Sequence, residues 1–231
     1  MSLKQPEAFP DMPMSSGSAP VRKPLPWMSY AYMAVCIAIY VLGLPSFTGL
    51  HADWLSHFGL FLPDVEAGEW WRMFSCHFLH GNLLHLSFNM LVLYSLGRNL
   101  EIHIGPWLFL WASVLGALGT ALSSMLFSPH ALMVGASGVI ISWAGVMIPL
   151  ATRHARKELL IWFAQIAVLS LLPGISLAGH AGGALAGLVC GFALLQFLRG
   201  RRGWLLGVSV LLVTLCAWVA RPLADVGVYR F

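Results

Sequence analysis

Charge is what this sequence has least of. Only 10% of its 231 residues are Asp, Glu, Lys or Arg, while 58% are hydrophobic. A water-soluble domain carries about 25% charged residues. So little polar material does not cover a water-soluble globule, and lipid must be the solvent for much of the chain. Cysteine is sparse and patternless. Cys36, Cys76, Cys190 and Cys216 fall in or beside apolar runs and none stands in a C-x-x-C pair. That argues against a disulfide framework and for small apolar packing residues. The H-E-x-x-H of zinc proteases and the G-x-S-x-G elbow of soluble hydrolases are both missing. No charged pair stands in mid-span and no inverted repeat is visible, which argues against a small transporter. The net charge of +4 is scattered over the ends of apolar runs, which suits membrane orientation better than a nucleic-acid partner.

What is present is a series of apolar segments, at about 27–46, 76–97, 104–127, 131–151, 158–174, 177–198 and 203–220. Each is near the ~20 residues that an α-helix needs to cross a bilayer. The fold class expected is therefore all-α and polytopic. Residues 1–26 hold six prolines and no apolar run. They read as a disordered tail without the form of a signal peptide. Residues 47–75 form a long acidic loop punctuated by Trp54, Phe58, Leu60, Phe61, Trp70 and Trp71, as in amphipathic pieces lying at the interface. With the N-terminus inside, the cytoplasmic parts hold Lys4, Arg22, Lys23, Arg98, Arg153, Arg156, Lys157, Arg199, Arg201 and Arg202. The outer parts hold only Arg72, Arg221 and Arg230. Ten against three favours a cytoplasmic N-terminus and an outer C-terminus.

Polar side chains within hydrocarbon are rare and face the protein interior. Here they are His80, His85, Asn89, Ser137 and His180. In that topology the second, fourth and sixth spans all run from outside to inside. His85, Ser137 and His180 then lie in the first half of their spans, Asn89 just past the middle of its own, and the four share one depth band. Asn89 follows His85 by four residues, so both occupy one helix face. Ser137 stands in Gly135-Ala-Ser-Gly138 at the start of a span, where small neighbours leave the hydroxyl unshielded. Free backbone N–H groups at a helix start would serve a developing oxyanion. His180 heads a ladder of Gly183, Gly187 and Gly191, a small-residue face for close helix packing. A serine is a weak nucleophile until a base takes its proton, and histidine is the usual base. Each residue also has a plainer reading: a back-bonded packing serine, a histidine joining two helices, or a metal site made by His77, His80 and His85. No nearby Asp or Glu completes such a metal site.

These residues together resemble the rhomboid family of intramembrane serine proteases. The resemblance runs from about residue 68 to 191. It takes in Gly68-x-x-Trp71-Arg72, then His80-x4-His85-x3-Asn89, then Leu96-Gly97 with Glu101 through Gly105. The Gly135–Gly138 box and His180-x-x-Gly183-x-x-x-Gly187 complete it. It implies a six-helix core over 27–198, a seventh helix and short tail over 199–231, and a water-filled cavity open to the outer side. It implies Ser137 as nucleophile and His180 as general base, with His85, Asn89 and the Ser137 N–H as oxyanion donors. His80, Arg72, Gly135, Gly138, Gly183 and Gly187 would be structural members of the motifs. The fifth span would be a lateral gate for substrate helices. Water would be the second reactant, so no cofactor or metal is expected. The partners expected are transmembrane protein substrates in the bilayer, not nucleic acid. The compact, undecorated architecture suits a bacterial inner membrane. The family usually has an aromatic residue four after the serine, packed on the catalytic histidine; here it is Ile141. A catalytically inactive relative that binds membrane helices is the alternative function, and retention of both Ser137 and His180 argues against it.

Overall fold

The computed structural model describes residues 24–43 and 52–221, and among them the regular elements are helices and one isolated β-bridge. Most of the proposed tail, the stretch 47–51 of the long loop, and the C-terminal residues from 222 onward lie outside the described residues. The first long helix is α1 (Trp27–Leu42). Three short ones follow, α2 (Ala52–Phe58), α3 (Leu62–Glu66) and α4 (Arg72–Ser75), and α4 runs into a single 3-10 turn at Cys76–Phe78. Next, α5 (Leu83–Val92), a π-helical stretch at Leu93–Gly97 and α6 (Arg98–Ile104) form one helical path without a gap. The remainder is α7 (Pro106–Phe127), α8 (Ser137–Leu150), α9 (Arg153–Leu169), α10 (Leu177–Leu198) and α11 (Gly203–Val219).

Apolar side chains cover the outside of this assembly. Phe127 is 77% exposed and Leu42 75%, with Phe88, Leu91, Leu206 and Trp218 also open. Such a surface is matched to lipid rather than water. At 22 residues each, α7 and α10 are long and apolar enough to cross a membrane. α1, α8 and α11 are apolar but shorter. The innermost helix is α8, with every residue from Gly138 to Met147 buried. Its most extensive partner is α10, then α7. α11 leans on α7 and α10 from outside, where Trp111 Nε1 donates to Ser209 Oγ at 2.9 Å. α9 stands apart: none of its residues is buried, and its main neighbour is α8.

Three expected boundaries are corrected. The apolar segment 76–97 is not one helix. Leu79 is extended, the helix starts at Leu83 and it continues past 97 to Ile104. The segment 131–151 becomes helical only at Ser137. Met133 instead exchanges two backbone hydrogen bonds with Leu60, both at 2.9 Å, and Gly135 N donates to Cys76 O. The segment 158–174 is shifted: the helix begins at Arg153, capped by the Thr152 side chain, and ends at Leu169. Lys and Arg early in that helix do not stop it, because they are exposed.

Two buried charges hold the scaffold. The start of α1 follows Pro26 and has no side-chain cap of its own. Its orphan N–H groups would be costly in an apolar setting. The buried Glu101 carboxylate supplies the acceptors, at 3.0 Å from Met28 N and 2.7 Å from both Ser29 N and Ser29 Oγ. Glu101→Ala is expected to lose about 1.5–3 kcal/mol, the usual worth of hydrogen bonds to a charged group. The shift in denaturation midpoint in detergent micelles measures it. Arg72, also buried, gathers the long loop: its guanidinium donates to the carbonyls of Ser56 and Gly59 and pairs with Asp64 and Glu69.

Candidate active site

Three helix starts meet at one place. Ser137 is the first residue of α8. His180 lies in the first turn of α10, whose N-cap Ser176 accepts from Gly179 N at 3.0 Å. His85 lies in the first turn of α5, whose N-cap Asn82 accepts from His85 N at 2.8 Å. Helix starts carry unpaired N–H groups and a partial positive charge. The site is therefore biased toward negative charge without any Lys or Arg in it.

Close backbone contact brings the helices together. At Gly187 a Cβ would overlap the carbonyl of Ser142, so α10 meets α8 there with no side chain between. Gly183 lies likewise against the carbonyl of Gly138, one residue after Ser137. The result is that Ser137 Oγ and His180 Nε2 are 2.8 Å apart. The other ring nitrogen, Nδ1, is 2.6 Å from Ser170 Oγ. Ser137 and His180 are both half-buried, open enough for a reacting group to reach.

His85 covers Gly135. A Cβ on Gly135 would stand 2.7 Å from His85 Nε2 and 3.8 Å from Ser137 Oγ. Gly135 also has φ +124, a region that side-chain-bearing residues avoid. Both backbone and space thus require glycine at this point, beside the nucleophile candidate. Asn89 is buried one turn further along, where its Nδ2 donates to the His85 carbonyl at 2.9 Å. This uses one of its two amide protons. His80 lies in the extended stretch before α5, fully buried, its ring edge-on to His85 with centroids 5.0 Å apart. Among the described residues neither of its ring nitrogens has a hydrogen-bond partner. Ile141 is buried one turn below Ser137. Arg72 lies away from this cluster, in the loop described above. Gly138 faces Thr120 of α7. Among the described residues no group of three His, Cys, Asp or Glu converges to hold a metal ion.

One member of the cluster had no signal in the sequence. Ser170 is an ordinary serine just after the end of α9, ten residues before His180. Only the tertiary turn from α9 to α10 brings it to the imidazole.

Comparison with known proteins bears on the family of the chain. Residues 67–197 match a family model described as "Rhomboid domain". Among curated relatives, RHOMBOID-like protein 5 of Arabidopsis thaliana is 38% identical over 151 residues, covering 61% of this chain and 48% of the relative. Rhomboid protease GluP of Bacillus subtilis is 29% identical over 199 residues, covering 82% of this chain and 39% of the relative. Rhomboid-like protease 3 of Toxoplasma gondii is 32% identical over 143 residues, covering 56% and 54%. The aligned part thus spans about half or less of each relative's length.

Proposed function

The chain belongs to the rhomboid family, multi-pass helical proteins of the membrane, and from that premise we propose that it is an intramembrane serine endopeptidase. Its substrates on this reading are the transmembrane segments of other membrane proteins. The observation that carries the reading is the 2.8 Å approach of Ser137 Oγ to His180 Nε2, between two helices buried against one another. His180 takes the Ser137 proton as Oγ attacks the scissile carbonyl, then passes it to the leaving amine. Water opens the acyl-enzyme with the same base. Among the described residues no carboxylate bonds the imidazole, as in other serine hydrolases that work without a third acidic member.

The oxyanion is received by the Ser137 N–H, the His85 side chain and the free amide proton of Asn89. Asn89→Ala is expected to lower kcat about 10²–10³-fold, the usual effect of losing one such donor, with less change in KM. Steady-state rates on one substrate decide it. His80, Arg72 and the four glycines serve the scaffold of this site.

In this reading α1, α5–α6, α7, α8, α9 and α10 are the six-helix core over 27–198, and α11 is the seventh helix within 199–231. Its loose packing suits α9 to the role of lateral gate. The Lys and Arg distribution supports a cytoplasmic N-terminus, in a membrane of the bacterial inner type. Water is the only co-reactant. The test is cleavage of a single-pass protein with an unstable helix top, co-reconstituted in liposomes. Two fragments cut within the span support the reading. Binding without cutting would leave only the alternative, an inactive relative that holds membrane helices.

A further inference from the structure

A neutral imidazole carries one proton, and for His180 its position decides whether the dyad works. A proton on Nε2 would face Ser137 Oγ with a donor and leave nothing to accept the serine proton. Ser170 bears on this directly. Its hydroxyl is 2.7 Å from the Ile166 carbonyl and 2.6 Å from His180 Nδ1. The Ile166 carbonyl, which also accepts the Ser170 N–H, is the acceptor for the single hydroxyl proton of Ser170. The hydroxyl oxygen is then left to accept from Nδ1–H. With the proton on Nδ1, Nε2 presents its lone pair to the Ser137 hydroxyl. The chain Ser137, His180, Ser170, Ile166 has one consistent direction for its protons, and it is the reactive one.

Resting on the dyad proposed above, we propose that Ser170 is a positioning residue that fixes the proton of His180 on Nδ1. Two features favour this over simple packing. Ser170 is 3% exposed, while no residue of α9 itself, from Arg153 to Leu169, is buried. And among the described residues the side chains that bond the imidazole are Ser137 at Nε2 and Ser170 at Nδ1. The tie crosses from α9 to α10, two helices that otherwise meet little. Any excursion of α9 away from α10 draws Ser170 off Nδ1 and frees the imidazole to turn or change tautomer. The base is therefore fully competent only with α9 docked.

The test compares Ser170→Ala and Ser170→Thr in the full-length protein. Turnover of a single-pass substrate in liposomes is one readout. The ¹⁵N chemical shifts of the His180 ring in detergent are the other. Ser170→Ala is expected to lower kcat roughly three- to ten-fold, the equivalent of one ordinary hydrogen bond, with KM little changed. Ser170→Thr, which keeps the hydroxyl, restores most of it. In the spectra the parent and Ser170→Thr show an unprotonated Nε2, and Ser170→Ala shows a mixture. An unchanged tautomer in Ser170→Ala overturns the proposal, as does a loss of kcat that threonine does not restore. The spectra read the tautomer even if the parent cuts nothing, so failure of the protease reading and failure of this inference are separate results.

Discussion

Ser137→Ala and His180→Ala each abolish cleavage, and the double variant is no worse than either. That is the expected result for a nucleophile and base that act as a unit. Removing either leaves the other with nothing to do, so their effects do not add. In a soluble protease with a full Ser-His-Asp triad the loss is about 10⁶-fold. The geometry behind the expectation is specific. Oγ and Nε2 are already at hydrogen-bond distance, 2.8 Å, with no rearrangement needed before proton transfer. Ser137→Ala removes a single oxygen, and the larger His180 ring is only half-buried. Denaturation midpoints of the single variants should therefore stay near the parent's. Additive losses, with the double variant far below each single one, would mean that the two residues do separate jobs.

The second large effect is structural. Gly187→Val should destroy the fold of the core rather than adjust it. A Cβ there runs into the Ser142 carbonyl and Cα, which are backbone and cannot turn aside as a side chain can. Ordinary overpacking costs about 1–3 kcal/mol; here α10 must move off α8, so the loss should exceed about 3 kcal/mol and activity should vanish with it. Gly207→Val is the control. Gly207 is also in a helix, α11, but a Cβ there meets nothing within 4 Å. The yield of folded protein and the denaturation midpoint in micelles compare them. Equal behaviour of the two variants would contradict the close approach of α8 and α10.

The parts of this protein that follow short-range rules were legible in its sequence. Apolar run length located each long helix, because lipid forces backbone polar groups to pair within the segment. The small-residue ladder Gly183, Gly187, Gly191 marked a packing face, because small residues let two helix backbones approach closely. Where the chain leaves a helix inside an apolar run, the sequence was mute. Ala131 to Val134 are as apolar as the helix that follows, yet the bridge from Met133 to Leu60 and the positive φ of Gly135 hold them out of it. Both causes are tertiary. The consequence matters for the site: α8 has only 14 residues, about 21 Å at 1.5 Å per residue. That is less than a bilayer's ~30 Å core, so Ser137 heads a helix that starts short of full span. Glu101 was legible as part of a motif, but not its task, since its partners Met28 and Ser29 are more than 70 residues away. Ser170 left no trace either, although it is only ten residues from His180. A contact made by a turn between two helices has no period to read.

The most direct measurement of the central claim is covalent labelling of Ser137. A fluorophosphonate reacts with a serine hydroxyl only when a base has activated it, and it needs no knowledge of the substrate. Purified protein in micelles should take up one adduct, found by mass spectrometry on the peptide that contains Gly135–Gly138. The adduct should be missing from His180→Ala, although Ser137 is still present. Labelling of the parent that persists at full rate in His180→Ala, or an adduct on a serine other than Ser137, would contradict a dyad made by these two residues.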